Sequence, residues 1–187
     1  MPFPNESIGD FSKRKDRFDN LKQHTPVGIF GSFYGSRKSD LISLQQFLQD
    51  SGFNARISEN LDTRGKKDRK KKDPVYDREL SETLIMESDI HIFVLVLPKE
   101  GEPENLIQSV SMEIERLHTL DSCGHTSANH VAVYAEKGLI GTMGAVCEGL
   151  LLSKEGDWVI EEFEEIHEIF KPARQFCLNC ILDRHPF

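Results

Sequence analysis

The run Asp89-Ile-His-Ile-Phe-Val-Leu-Val-Leu97 is apolar throughout except for His91. A strand with one wet face alternates apolar and polar residues. An unbroken apolar run reads instead as a central strand covered on both faces. Outward from it, helical and strand patterns alternate. Upstream, Leu80, Leu84 and Ile85 mark the inner stripe of a helix over about 75–87. Downstream, Pro98 to Pro103 forms a loop, and Leu106, Val110, Ile114 and Leu117 recur at helical spacing over about 104–120.

The same alternation continues to both ends. Val27-Gly-Ile-Phe-Gly-Ser32 reads as a buried first strand, followed by the loop Phe33 to Arg37. Leu41, Leu44, Phe47 and Leu48 give a helix ended by Ser51-Gly52, and 54–58 gives a short strand. Past a polar loop at 121–129, His130 to Ala135 is a fourth strand. Gly138, Gly141 and Gly144 then lead into a short helix through Leu151. Trp158 to Phe163 is a fifth strand, and the remainder is helical, with Pro172 expected to break or kink it. Strands alternating with helices imply one α/β domain of the doubly wound class, its five-stranded sheet mainly parallel with helices on both faces. In such sheets ligands bind beyond the carboxyl ends of the strands, here after Ser32, Ser58, Leu97 and Ala135. Residues 1–24 read as an arm, partly helical through Phe11, Phe18 and Leu21, ahead of a domain at 25–187.

The chain has 187 residues and a formal charge of −8. That balance excludes a generally basic nucleic-acid binder, so nucleic acid is not an expected partner. The acidity is uneven. Arg64 to Lys72, within a loop at 63–73, holds seven basic residues and one acid, and Glu155 to Glu168 forms an acidic block. The basic run suits a polyphosphate, nucleic acid or an acidic partner, or is simply solvated. Met1-Pro-Phe-Pro-Asn-Glu6 lacks the pattern of a secretory leader, and the longest apolar run is too short to cross a bilayer. The reading is cytoplasmic, with four reduced cysteines and no membrane association. Cys177-Leu-Asn-Cys180 with Cys123, His125 and His185 admits a zinc site, but cysteines three apart on an apolar helix also suit a core. No metal is assigned.

Val27 to Tyr34, the strand beginning Glu87-Ser-Asp-Ile-His-Ile-Phe-Val, and Ser111-Met-Glu-Ile-Glu115 occur in an order that resembles the nucleoside 2-deoxyribosyltransferase and TIR-like group over roughly 26–135. The resemblance implies a flavodoxin-like sheet. It also implies a first loop, here Ser32, Phe33 and Tyr34, that holds a ribosyl substrate. It maps the family glutamate onto Glu113 and the aspartate before the central strand onto Asp89. The transferases' loop aspartate has no counterpart in Pro98 to Asn105, where Glu104 is the nearest substitute. A weaker likeness, from Val133-Tyr134 through Gly141 to Val146, is similar to the phosphoribohydrolases that activate cytokinins, without their Pro-Gly-Gly-x-Gly-Thr signature.

Each candidate has a plain alternative. Glu113 is a carboxylate able to stabilise a ribosyl cation, or a residue on the solvent face of an ordinary helix. Phe33, Tyr34 and Arg37 offer an aromatic platform and a cation for phosphate, or an ordinary turn with Ser36 or Ser39 capping the helix. Gly141 and Gly144 either cradle a phosphate or belong to a turn that needs positive φ. The expected function is binding of a nucleotide or nucleoside and cleavage or transfer at its N-glycosidic bond, with NAD or a relative as substrate and no required cofactor. The alternative is a TIR-like sensor or interaction module without catalysis, and a homo-oligomer is compatible with either.

Overall fold

The computed structural model describes residues 8–32, 34–65, 68, 73–102 and 106–185, with backbone only at 8–11, 36, 106 and 146. Its elements in chain order are α1 (Ile8–His24), β1 (Pro26–Gly31), α2 (Gly35–Asp50), β2 (Asn54–Arg56), α3 (Pro74–Glu87), β3 (Ile90–Leu95), α4 (Leu106–Ser122), β4 (Val131–Glu136), α5 (Ala145–Ser153), β5 (Val159–Phe163) and α6 (Phe170–Arg184). The five strands lie in the order β2-β1-β3-β4-β5 and every pair is parallel. This is the flavodoxin-like order. β3 is central, and each of its six residues is buried, as its unbroken apolar run requires.

Side chains on alternate strand positions feed two cores. Ile29, Ile92, Val94 and Tyr134 face α2 and α6, where Leu44, Leu48, Cys177 and Ile181 pack. Phe30, Phe93, Leu95 and Val133 face α3, α4 and α5, where Leu84, Ile114, Leu117 and Leu151 pack. Each aliphatic side chain so enclosed contributes about 2 kcal/mol of transfer free energy. The outer strands are protected differently. β2 is only three residues long, and β5 exposes Glu161 and Glu162, charges that disfavour pairing with another sheet.

Several local expectations change. α2 begins at Gly35, so Arg37 belongs to its first turn, and the N-cap position is Tyr34 with no side-chain cap. Ser32 Oγ instead accepts from the Tyr34 N–H at 3.3 Å. Ser36 and Ser39 lie within the helix, past its N-cap position. Pro172 does not break α6, because it falls in that helix's first turn, where its missing N–H would have had no intrahelical partner. The arm is helical over 8–24, and Phe18 and Leu21 pack onto the first core. Lys22 Nζ ties it down by donating to Ser51 O at 3.3 Å. Cys177 and Cys180 are core residues of α6, and burial pushes the Cys180 thiol up to about 12. Among the described residues no group of three His, Cys, Asp or Glu is placed to hold a metal ion. None of the described helices is long and apolar enough to cross a membrane.

The Tyr134 hydroxyl is buried without a hydrogen-bond partner among the described residues. An unmatched polar group costs its desolvation and recovers nothing. Tyr134→Phe is therefore expected to raise unfolding stability by about 1 kcal/mol, read from denaturant titration. A loss of that size would show that the hydroxyl has a partner.

Candidate functional site

The strand order reverses direction between β1 and β3, so the crevice of this sheet opens above their carboxyl ends. Arg37, in the first turn of α2, crosses that edge. It is 7 % exposed. Its Nη2 donates to Leu97 O at 2.6 Å. Glu102 Oε2 lies 3.5 Å from Arg37 Nε, and Glu136 Oε2 lies 3.8 Å from Nη2. Glu136 Oε2 also accepts the Leu97 N–H at 2.9 Å. One cation thus joins the ends of β3 and β4 to the loop leading toward α4. Beneath it, Ser32, Leu41 and Val96 help line a depression of about 10 Å³, roughly the room one water needs.

Tyr34 stands beside this edge and is 47 % exposed. Phe33 and Glu104 lie outside the described residues, as do Lys66, Lys67 and 69–72 of the basic run. Arg64, at the start of that run, is bound to Asp62 at 2.9 Å and lies 3.3 Å from Asp77. Gly141 sits in a 3₁₀ turn and Gly144 at the N-cap of α5. Both belong to the carboxyl edge beyond β4. Of the three recurring glycines only Gly138 has positive φ, at +79°. The turn therefore needs a glycine there and not at 141 or 144, where an added Cβ would meet nothing within 4 Å.

Asp89 is at the other end of the sheet. It immediately precedes β3, its N–H donates to Pro26 O at 3.0 Å, and its carboxylate meets Arg184 Nη1 at 2.9 Å. The six residues of β3, about 20 Å of strand, and Val96 separate it from Leu97. Asp89 staples α6 to the amino edge.

Glu113 lies seven residues into α4, about 10 Å along its axis. It does not face solvent. It points into the seam between α3 and α4, where the Ser81 hydroxyl donates to its Oε1. Its Oε2 is buried with no hydrogen-bond partner among the described residues. Burial pushes the carboxyl up to about 7, against the opposing pull of the Ser81 bond. The next acid of α3, Glu82, is occupied by Arg116 at 3.5 Å and Arg78 at 3.8 Å. The site residues therefore fall into three places: Ser32, Tyr34, Arg37, Gly141 and Gly144 along the carboxyl edge, Glu113 in a helix seam, and Asp89 at the amino edge.

Ser81, Glu102 and Glu136 were not legible as site residues. Glu136 carried the clearest signal, since it closes a strand at the edge where ligands bind. Ser81 and Glu102 are polar residues among many.

No protein-family model matches the chain. No curated protein matches it. Among solved structures it is similar to the TIR domains of the activated Roq1 resistosome directly recognizing the pathogen effector XopQ. That superposition has a TM-score of 0.45 and 13 % identity, and covers 84 % of this chain and 83 % of that one. The fold rests on the strand order and parallel register themselves.

Proposed function

We propose that the chain is a TIR-like nucleotide-binding module that hydrolyses the N-ribosyl bond of NAD or a related pyridinium nucleotide, with Glu113 as the carboxylate that meets the ribosyl cation. The observation that carries this reading is the unmatched, buried Oε2 of Glu113. Such an oxygen is costly to fold around, and carboxyls with strongly raised pKa concentrate where chemistry uses them.

A single carboxylate suits a pyridinium substrate. In a pyridinium nucleotide the C1′–N bond breaks with its electron pair going to the ring nitrogen. The base leaves neutral and needs no acid. The ionised carboxylate offsets the positive charge at C1′. Water then adds its oxygen to C1′ and releases a proton, so the products are free base, the ribosyl nucleotide and H⁺. A neutral purine nucleoside would need a second group to protonate its base, and Glu82 is held by arginines. For the ribose to reach Glu113, the seam between α3 and α4 must open at Ser81.

The test is chromatography of NAD, NADP and a nucleoside panel after incubation with concentrated wild-type protein and with Glu113→Gln. Free base from the pyridinium nucleotides is expected with wild type, and about 100-fold less with the variant. Equal release by both proteins would remove Glu113 from the mechanism, and no release by either would end the catalytic reading. A second reading, a sensor or interaction module, is favoured by the water-sized depression and by an Arg37 whose charge is already balanced by Glu102 and Glu136. Its marks are nucleotide binding without turnover, or self-association that rises with protein concentration.

A further inference from the structure

We propose that Glu102 is an internal stand-in for an anion, and that the diphosphate of a nucleotide binds Arg37 by displacing it. Arg37 is then the anion subsite of the crevice, and the turn at 99–102 is its removable stopper. The inference deepens the nucleotide reading and rests on it only for the choice of anion.

A guanidinium has five N–H donors in a planar fork, suited to two oxygens of one oxyanion. Arg37 is buried, yet the fork is used poorly. It makes one good bond, to Leu97 O. Its Nε is buried without a hydrogen-bond partner among the described residues, although Glu102 Oε2 stands 3.5 Å away. The carboxylate is near enough to neutralise the cation and too poorly aligned to satisfy it. Hydrogen bonds to a better-placed oxyanion would regain what that N–H lost on burial.

The stopper is built to present its charge. Gly101, at φ +82°, allows the chain to turn, and the Glu102 N–H donates to Lys99 O at 2.9 Å. The Lys99 N–H returns a bond to Glu102 Oε2 at 2.9 Å. That backbone bond, then the nearby Arg37, holds the Glu102 carboxyl below its ordinary range, so it is ionised at neutral pH. With Glu136 also present, two carboxylates surround one cation. The cluster therefore repels an arriving anion until Glu102 leaves. Glu136 is anchored by the Leu97 N–H and keeps Arg37 at the edge after the turn has moved.

The test is calorimetric titration with ADP, and separately with inorganic pyrophosphate, of wild type, Glu102→Gln, and Glu102→Gln combined with Arg37→Gln. The Glu102→Gln substitution retains an acceptor for the Lys99 N–H while removing the charge. Glutamine at 37 retains part of the buried side chain, and a melting curve confirms folding of the double variant. Glu102→Gln is expected to bind ADP at least tenfold more tightly than wild type, with the gain lost in the double variant. A smaller gain shared by pyrophosphate would assign the subsite to the phosphates rather than the nucleoside. If Glu102→Gln binds both probes no better than wild type, or if the gain survives loss of Arg37, the proposal is overturned. Binding is read without turnover, so failure of Glu113 chemistry and failure of this subsite are told apart.

Discussion

Glu113→Gln is expected to make the protein more stable at pH 8 while cutting base release about 100-fold. A carboxyl whose folded pKa exceeds its unfolded value binds its proton more tightly in the fold. Its stabilisation is complete below the ordinary glutamate value of 4.5 and is lost as pH rises through about 7. That gap corresponds to at most about 3 kcal/mol. Glu113 as a whole is only half-buried, and a glutamine leaves an amide unmatched in the same seam. The expected gain is therefore about 1–2 kcal/mol at pH 8, fading to nothing or a slight loss at pH 5. Denaturant titrations of both proteins at pH 5, 6.5 and 8 give the difference directly. A difference that does not change with pH would place the Glu113 carboxyl in water.

His91 works in the opposite direction over nearly the same range. It is fully buried in β3, one ring nitrogen meets Ile85 O at 3.0 Å, and burial lowers its pKa to about 4. The unfolded chain takes up a proton below about 6.5 that the fold refuses, so this contribution is present above 6.5 and is lost as pH falls through about 4. Between roughly pH 4.5 and 6.5 folding gains a proton at Glu113 and forfeits one at His91. The two slopes oppose each other, and removing Glu113 exposes the His91 slope as a steeper acid loss. In the proposed reaction the pH dependence follows Glu113. That reaction requires the ionised carboxylate, so base release is expected to rise with pH through about 7.

Gly28→Ala is the other large effect, and it concerns folding only. Gly28 lies in β1 opposite His91 and Arg56. A Cβ there would stand 2.5 Å from Ser88 Oγ and 2.8 Å from Phe30 Cε2. Neither neighbour is free to yield. Ser88 Oγ donates to Leu84 O at 2.7 Å, and the Phe30 ring stacks on Phe93 at 4.7 Å. Overpacking of this kind costs about 3 kcal/mol, visible as a lower denaturant midpoint with an unchanged slope. Gly141→Ala, where a Cβ meets nothing, is the matched control and should leave the midpoint in place.

The contrast between those glycines shows where the sequence stops informing. Val27 to Ser32 announced a buried strand, but nothing in it distinguished Gly28, pressed by Ser88 from beyond α3, from a glycine with space around it. Periodicity and residue type determined the order of strands and helices, because burial of one face imposes a repeat that survives in the chain. The buried character of β3, the inner stripe of α4 and the end of α2 at Ser51-Gly52 were legible for that reason. Three facts belonged to the tertiary structure alone. The position of Glu113 depended on the rotation of α4 against α3, which decides whether an acid at the margin of a stripe meets water or Ser81. Asp89 was matched through a resemblance to the family aspartate before the central strand, and the fold places it beside Arg184, at the edge where β3 begins. Arg37 meets Glu102 and Glu136 only because β1, β3 and β4 end at one edge. Pairings between residues this far apart in the chain leave no periodic trace, since they are set by the order in which strands lie side by side.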